Sequence, residues 1–397
     1  MNIGIFGGTF NPPHRGHATM ARSAVEQLKL DKLLLVPDNI PPHKELPAGS
    51  PTNADRYVMA YLATADIGKV AQVSDREMKR EGPSYTWQTV KELAKEYPDD
   101  TLWLLMGSDM FLSFHTWVKP EKICKYVRIA AFHRVEADES TAFAAQKERL
   151  ERDFGAHVEI LQNPEMIELS STDVRQALAE GRGEELLPAA VYGYIRREHL
   201  YGTNADLKHL TVDELRPIAL SYLKPKRMPH VLGTEETAAK LAKLYGADET
   251  EARVAALLHD CTKKQEMEEQ LELCAHYGLV LDEIEQHALK LLHARTGAEI
   301  ARDVFGVNDN VYQAIRWHTT GKADMTLLEK IIYMADYIEP TRAFTDLTEL
   351  RVLTYENLDK GLLLGPEMAI EDLKAMGNPV YHHTVEARDY LKKEITL

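Results

Sequence analysis

The amino terminus carries a segment whose residue types suit phosphate binding: Gly-Gly-Thr-Phe-Asn-Pro-Pro-His-Arg-Gly-His, at residues 7–17. Glycines let a phosphate approach backbone N–H groups closely, because no β-carbon stands between them. His14 and His17 are three positions apart, so both imidazoles can face one side of a helical turn. There they could donate to a phosphate chain and stabilise charge that develops during transfer. The glycine spacing matches neither the dinucleotide-binding fingerprint nor the P-loop.

A second set of residues, in the last half of the chain, has the types that bind metal ions without a thiolate. It consists of four histidines and two aspartates: His230, His259, Asp260, His293, His318 and Asp336. The pair His259-Asp260 directly follows an apolar run and Asp336 interrupts another, so unpaired burial there would be costly. Imidazole and carboxylate suit zinc, iron, manganese or a mixture, and more than four ligands allow two neighbouring ions. A two-metal site indicates phosphoester hydrolysis.

The elements that must position the first segment alternate between strands and helices. Short apolar runs predict strands at residues 3–6, 33–36, 102–106, 128–132 and 157–161. Helical periodicity separates them, as at residues 18–28 and 86–96. This alternation predicts a parallel sheet with helical crossovers, in which ligands gather at the carboxyl ends of the strands. The segment 7–17 directly follows the first predicted strand, so the fold would place it at that edge.

The second half of the chain shows amphipathic helical patterns only. A polar, turn-rich stretch, Gly-Thr-Asn-Ala-Asp, follows Tyr201 and indicates a boundary near residue 205. We therefore predict two domains, an α/β domain over residues 1–204 and an all-α domain over residues 205–397.

Composition narrows the function classes. The 397 residues include 47 basic and 62 acidic side chains, a net charge of −15, which disfavours nucleic acid or an anionic membrane surface as a partner. Three cysteines without a CxxC pair argue against a disulfide framework or a thiolate zinc site. No apolar stretch approaches the length of a membrane span, and no secretory signal is evident. We expect a cytoplasmic enzyme, and homo-oligomer formation stays open.

The segment 7–17 resembles the HxGH nucleotidyltransferases, and among them the nicotinate mononucleotide adenylyltransferases, whose motif GGTFNPPHxGH it matches almost throughout. A second family motif appears as Ser-Ser-Thr-Asp-Val-Arg at residues 170–175, where Ser170 and Asp173 also have the spacing of a helix capping box. The resemblance covers residues 1 to about 202 and implies a Rossmann-like fold. It implies transfer of adenylate from ATP, carried with Mg²⁺, to nicotinate mononucleotide, with release of pyrophosphate.

The same resemblance implies roles for individual residues. His14, His17 and Arg175 would act on the reacting phosphates. Thr86 and the ring of Trp117 would bind the pyridine carboxylate. The remaining nucleotide contacts would come from Gly8, Thr9, Phe10, Lys44, Gly107, Asp109, Arg134, Ser171 and Thr172.

The second half resembles the HD superfamily of metal-dependent phosphohydrolases, over residues 208–390, and more narrowly the bacterial enzymes that split diadenosine tetraphosphate symmetrically into two ADP. The matched segments include residues 227–230, 257–263, 315–321 and 335–342. The resemblance implies a first metal held by His230, His259, Asp260 and Asp336, and a second held by His293 and His318 with Asp260 bridging. It favours iron for both. It also assigns polyphosphate contacts to Lys263 and Arg342.

Two alternatives stay open at this point. The metal-binding half could be a nucleotide-sensing regulatory module that does not turn its ligand over. The acceptor of the first half could instead be phosphopantetheine or nicotinamide mononucleotide, because the HxGH signature by itself does not choose among them.

Overall fold

A computed structural model describes residues 1–42, 45–133, 137–162, 169–342, 346–377 and 380–396. The chain divides into two compact units, Met1–Asn204 and Ala205–Leu397.

The first unit is a parallel sheet with helices between its strands. Its elements are β1 (Asn2–Gly8), α1 (Arg15–Gln27), β2 (Lys32–Pro37), α2 (Asn53–Leu62), β3 (Ala71–Val73), α3 (Thr86–Glu96), β4 (Thr101–Met106), α4 (Ser108–Ser113), α5 (Pro120–Tyr126), β5 (Arg128–His133), α6 (Ala137–Phe154), β6 (Val158–Gln162), α7 (Ser171–Ala179) and α8 (Ala189–Arg197). All five strand pairings are parallel, in the order β3-β2-β1-β4-β5-β6. The predicted parallel α/β class is confirmed.

The sheet is buried on both faces, as a parallel sheet requires. Ile3 and Ile5 of β1 pack into one apolar cluster with α3, α4 and α6 residues, while Phe6 packs on the other face with residues of α1. The strand order reverses next to β1, which pairs with β2 on one side and with β4 on the other. Ligands of open α/β sheets bind in the crevice at such a reversal. The loops that follow β1 and β4 therefore face the expected binding crevice.

One strand was absent from the sequence prediction. β3 spans three residues, Ala-Gln-Val, at the sheet edge and pairs only with β2. It is partly exposed and lacks the apolar run on which strand prediction depends. Six strands therefore replace the five expected. α1 also begins at Arg15, three residues before the predicted start.

The described residues of the second unit form helices joined by turns and loops, with no strand among them, as predicted. Its helices are α9 (Val212–Ser221), α10 (Met228–Tyr245), α11 (Glu249–Leu258), α12 (Met267–His276), α13 (Leu289–Phe305), α14 (Asp309–Trp317), α15 (Leu327–Ile338), α16 (Thr348–Glu356), α17 (Leu358–Ala375) and α18 (His382–Thr396). In the described part of the chain, no helix combines the length and apolar character that a membrane crossing requires.

Local signals place the metal-binding candidates at or near helix ends. Pro229 lies in the first turn of α10, just before His230, and Gly246, with φ of 81°, ends this helix. A capping box between Thr326 and Glu329 begins α15, which carries Asp336 near its end. The candidates come from α10, α13, α15 and the residues directly after α11 and α14, and α10 packs on both α11 and α15.

Candidate functional sites

The loop after β1 brings the two motif histidines together. His14 caps α1 and His17 lies in its first turn, with ring centroids 3.9 Å apart. His14 is 6% exposed, and burial lowers the pKa of its imidazole to about 4. The first turn of α1 contains no acidic residue, so its N–H groups and positive dipole end remain suited to an anion.

The proton of His17 can be located from its contacts. The backbone N–H of His14 donates to Nδ1 of His17 over 3.2 Å. Since Nδ1 accepts, a neutral His17 ring carries its proton on Nε2. The ring packs against Phe10 at 5.4 Å and Phe6 at 6.0 Å between centroids. This packing holds a donor ring beside that of His14.

Residues that the sequence prediction missed form hydrogen bonds with the start of the loop after β1. Arg56 of α2 is fully buried and donates from Nη1 to the Thr9 carbonyl at 2.8 Å and to Asp38 Oδ1 at 3.1 Å. The Thr9 hydroxyl donates to the other oxygen of Asp38 at 2.9 Å. Phe10, with φ of 49°, lies against Gly8, where an added Cβ would approach the ring to 3.3 Å. A charged residue within an apolar helical face was the available signal for Arg56.

The second motif contacts the first loop. The predicted capping box of α7 is confirmed, since Ser170 Oγ donates to Asp173 Oδ2 and accepts from the Asp173 N–H. Ser171 Oγ donates to the Pro12 carbonyl at 3.2 Å. Arg175 reaches the same loop and also donates from Nη2 to Thr172 Oγ1 at 3.0 Å. The two motifs thus form one structure, although more than 150 residues separate Ser171 from Pro12.

The other candidates of the first unit lie on separate segments. Gly107 follows β4 and Asp109 lies in the first turn of α4, at the carboxyl edge of the sheet. Thr86 begins α3. Trp117 follows a short helical turn and packs on Phe114, with ring centroids 5.1 Å apart. Lys44 and Arg134 lie outside the described residues.

In the second unit, all six metal-binding candidates meet in one cluster, in which five are buried and Asp336 is partly exposed. Three overlapping groups place their ligand atoms within 4.8 Å of one another: His230 with His259 and Asp260, His259 with His318 and Asp336, and Asp260 with His293 and His318. The Nε2 atoms of His230 and His259 are 3.3 Å apart, and those of His293 and His318 are 3.1 Å apart.

Asp260 stands between two pairs of histidines. Its Oδ2 lies 3.6 Å from His259 Nε2 and 4.0 Å from His230 Nε2. Its Oδ1 lies 3.2 Å from His293 Nε2 and 3.9 Å from His318 Nε2. Each carboxylate oxygen therefore faces a different pair of imidazoles, which is the arrangement of a carboxylate able to bridge two ions.

The hydrogen bonds of the rings show which nitrogen can bind a metal. Nδ1 of His259 lies 2.6 Å from the Ala256 carbonyl, and Nδ1 of His318 lies 2.7 Å from the Ile315 carbonyl. A carbonyl only accepts, so each Nδ1 carries the proton and each Nε2 presents a lone pair. Burial lowers the pKa of His259, His293 and His318 to about 4, so these rings are neutral near pH 7.

The two carboxylates are ionised despite burial. Burial opposes the charge of Asp260, but neighbouring His259 and His293 hold its pKa well below the usual range. Burial likewise opposes the charge of Asp336, whose pKa the His230 hydrogen bond and Arg342 keep well below that range. Arg227 donates to Asp260 Oδ2 and Arg342 to Asp336 Oδ1, each over 2.5 Å. Arg227, which the prediction missed, directly precedes the segment that contains His230.

The donor set fits divalent metal ions. Among the described residues, Asp260 Oδ1 is buried without a hydrogen-bond partner of good geometry. The Nε2 lone pairs of His259 and His318 point toward this buried anionic group, and a cation between them would satisfy both. Lys263 contacts the same group, with Nζ 3.0 Å from His293 Nε2, and burial lowers the pKa of its ammonium. The arrangement can therefore hold cations beside a lysine and two arginines.

Each half of the chain matches a known protein family. Residues 5–177 match the cytidylyltransferase-like family and residues 227–341 match the HD domain family. A probable nicotinate-nucleotide adenylyltransferase of Exiguobacterium sibiricum is 36% identical over 204 residues, which are 51% of this chain and 100% of that protein. One from Synechococcus sp. is 39% identical over 201 residues, 50% of this chain and 94% of that protein.

A crystal structure from Clostridium acetobutylicum, described as a predicted HD superfamily hydrolase involved in NAD metabolism, is 40% identical, with a TM-score of 0.45. It covers 47% of this chain and 98% of its own. The curated relatives show the family of the first unit, because this chain covers nearly all of each of them at more than 30% sequence identity. Through that unit the chain belongs to the nicotinate-nucleotide adenylyltransferases, and its second unit carries an HD domain.

Proposed function

We propose that the first unit transfers adenylate from ATP to nicotinate mononucleotide. The observation that carries this proposal is the pair His14 and His17 at the start of α1, on the loop that follows β1. The relatives, which are probable nicotinate-nucleotide adenylyltransferases, support the choice of acceptor. MgATP is the expected donor substrate.

In this reaction an oxygen of the mononucleotide phosphate attacks the α-phosphorus of ATP. The bond from that phosphorus to the bridging oxygen breaks, and pyrophosphate leaves with the electron pair. His17 donates from Nε2 to a phosphate oxygen as charge develops there, and His14 donates from a neutral ring. The amides of the first turn of α1 and the guanidinium of Arg175 hold the phosphates. Catalysis here is positioning and charge stabilisation, without a covalent enzyme intermediate.

The test is a comparison of acceptors with the full chain and MgATP. Nicotinate mononucleotide, nicotinamide mononucleotide and phosphopantetheine are supplied at equal concentration, and adenylylated product and pyrophosphate are quantified. We expect nicotinate mononucleotide to give the highest kcat/KM. A preference for the amide or for phosphopantetheine would overturn the acceptor assignment.

For the second unit we propose metal-dependent hydrolysis of diadenosine tetraphosphate into two ADP. The observation that carries it is Asp260, whose two oxygens face different histidine pairs. His230, His259, Asp260 and Asp336 would hold one ion, and His293, His318 and Asp260 the other. When bound, two divalent ions polarise a phosphoryl group and lower the pKa of a water molecule. Iron is the metal we expect.

The residues of this chain then determine how the substrate is placed. Lys263, Arg227 and Arg342 lie around the two carboxylates and provide positive charge for a polyphosphate chain. Symmetrical cleavage requires water to add to one of the two central phosphorus atoms, so that the central P–O–P bridge breaks. Each product is then ADP, and the proton of water is released to solvent.

The experiment incubates the full chain with Fe²⁺ under anaerobic conditions, or with Mn²⁺, and diadenosine tetraphosphate. Two equivalents of ADP are expected, and the D260N variant should form none. ATP with AMP would contradict symmetrical cleavage. Tight binding of the intact nucleotide without product would instead favour the nucleotide-sensing alternative.

A further inference from the structure

A buried glutamate lies directly behind the metal-binding cluster. Glu339 follows the last residue of α15, three positions after Asp336, and its exposure is 0%. Its Oε1 is 2.9 Å from Nδ1 of His230. A carboxylate oxygen accepts, so His230 donates from Nδ1. Its Nε2 faces the cluster, 2.9 Å from Asp336 Oδ1, and would offer its lone pair there to a bound ion.

This contact differs in charge from those of two other rings. His259 and His318 donate from Nδ1 to backbone carbonyl oxygens, which are neutral. His230 donates to a carboxylate. An anionic acceptor fixes the ring orientation as a carbonyl does, and it also makes the opposite nitrogen a stronger electron-pair donor.

The Glu339 carboxylate lies against a glycine of α10, Gly233, in space that a side chain at this position would fill. Gly233 lies on α10 three residues after His230, on the same face of the helix. A Cβ at position 233 would lie 2.5 Å from Glu339 Oε2, a separation that real Cβ atoms do not show. Any larger residue at 233 would therefore move the glutamate or the helix.

Glu339 also orders the segment that carries a candidate phosphate contact. The backbone N–H of Thr341 donates to Glu339 Oε2 at 2.7 Å, and the Thr341 hydroxyl donates to Oε1 at 2.6 Å. Arg342 comes next in the chain and donates to Asp336. One carboxylate thus contacts a metal-binding candidate and the turn that positions an arginine.

We propose that Glu339 is a positioning residue of the metal site, which sets the tautomer and donor strength of His230 and, through Thr341, the position of Arg342. The inference rests on the proposed metal-binding function of the second unit. It assigns to Glu339 a role in metal affinity, distinct from direct coordination.

The test measures Mn²⁺ binding to the metal-free full chain by isothermal titration calorimetry. E339Q keeps the shape of the side chain and removes its charge, and it should weaken Mn²⁺ binding about 10- to 100-fold at the site that includes His230. E329Q is the matched control, because Glu329 is a buried glutamate at the start of the same helix. This control should bind Mn²⁺ as the wild type does.

A second variant leaves the carboxylate in place. G233A displaces Glu339 without changing its charge, and it should also lower Mn²⁺ affinity. G365A is its control, since a Cβ at 365 meets only ordinary contacts. Histidine ¹⁵N spectra of the metal-free chain supply a readout besides affinity: the His230 signal should report protonation at Nδ1 in the wild type and change in E339Q.

The results distinguish a failure of the proposed role of Glu339 from a failure of the metal-binding function on which it rests. If the wild type binds no Mn²⁺, the metal-binding proposal fails, and this inference fails with it. If the wild type binds Mn²⁺ and both E339Q and G233A bind it equally well, the metal site stands and the role of Glu339 is wrong.

Discussion

The guanidinium of Arg175 donates a 2.8 Å hydrogen bond to the carbonyl oxygen of Asn11, 164 residues earlier in the chain. The bond joins the helix of the second motif to the loop of the first. A phosphate-binding loop whose carbonyls are held in this way has its conformation set before the substrate arrives.

Replacing this arginine should impair adenylyl transfer. R175Q removes a positive charge beside the loop and one donor to Asn11, and we expect kcat to fall about 100-fold. Steady-state kinetics with MgATP and nicotinate mononucleotide measure the effect. R182Q is the control, because Arg182 is an exposed residue that pairs with Glu180. A wild-type kcat in R175Q would contradict the assignment.

The low pKa of His14 predicts a pH dependence of stability. Burial disfavours the protonated ring in the folded state, where the pKa is about 4, whereas the unfolded chain has an ordinary value near 6.5. Between these values the unfolded state binds more protons, so stability contributed by neutral His14 is complete above about pH 6.5 and is lost towards pH 4.

Histidine NMR on the full chain should show the His14 ring neutral at pH 5.5. Denaturation of H14N should show a smaller loss of stability than the wild type over the same pH window. H157N, which replaces an exposed histidine, serves as the comparison. A His14 ring that titrates near pH 6.5 would show that the burial argument is wrong.

The position of Asp260 predicts unequal losses of metal. D260N replaces one of the two oxygens that face the histidine pairs with an NH2 group and removes the negative charge that both share, so it should remove about two equivalents of bound metal, whereas H318A should remove about one. Metal analysis after gel filtration of Mn²⁺-loaded protein measures the content. H209A is the control, as His209 is exposed and pairs with Asp206. Full occupancy in D260N would exclude a bridging carboxylate.

Burial predicts a difference between two arginine–aspartate pairs. Arg56 is inaccessible to solvent and holds Asp38, while Arg22 and Asp66 are both about half exposed. R56M should lower the free energy of unfolding of the first unit by roughly 3–5 kcal/mol, because it removes the guanidinium that pairs with the Asp38 carboxylate and donates to the Thr9 carbonyl. R22M should change it by less than about 1 kcal/mol. Denaturant titration of each variant measures its free energy of unfolding. An equal loss of stability in R56M and R22M would contradict the expected effect of burial.

Much of the fold was predictable because its signals are local. Apolar runs separated by helical periodicity indicated the five longer strands, and the turn-rich stretch after Tyr201 indicated where this pattern ends. β3 was missed because three residues at a sheet edge, one of them Gln72, carry no such run. The missing strand altered neither the class of the fold nor the position of the first loop.

The candidate sites were predictable only in part. Histidines and aspartates in apolar surroundings were evident as residue types, because an unpaired buried charge is costly wherever it lies. Arg227 and Glu339 carried no comparable signal, and the signal for Arg56, a charged residue within an apolar helical face, was missed. Charged residues are common in helices, and their burial follows from the packing of other segments against them.

The sequence by itself determined the order of strands and helices, the change of fold class between the halves, and the chemical types of both candidate sites, since each depends on neighbours within a few positions. Only the tertiary structure decided that Glu339 lies against His230, 109 residues away, and that the two oxygens of Asp260 face different histidines. Such contacts depend on the angles and distances at which helices pack, and these arise from the whole set of side chains between them.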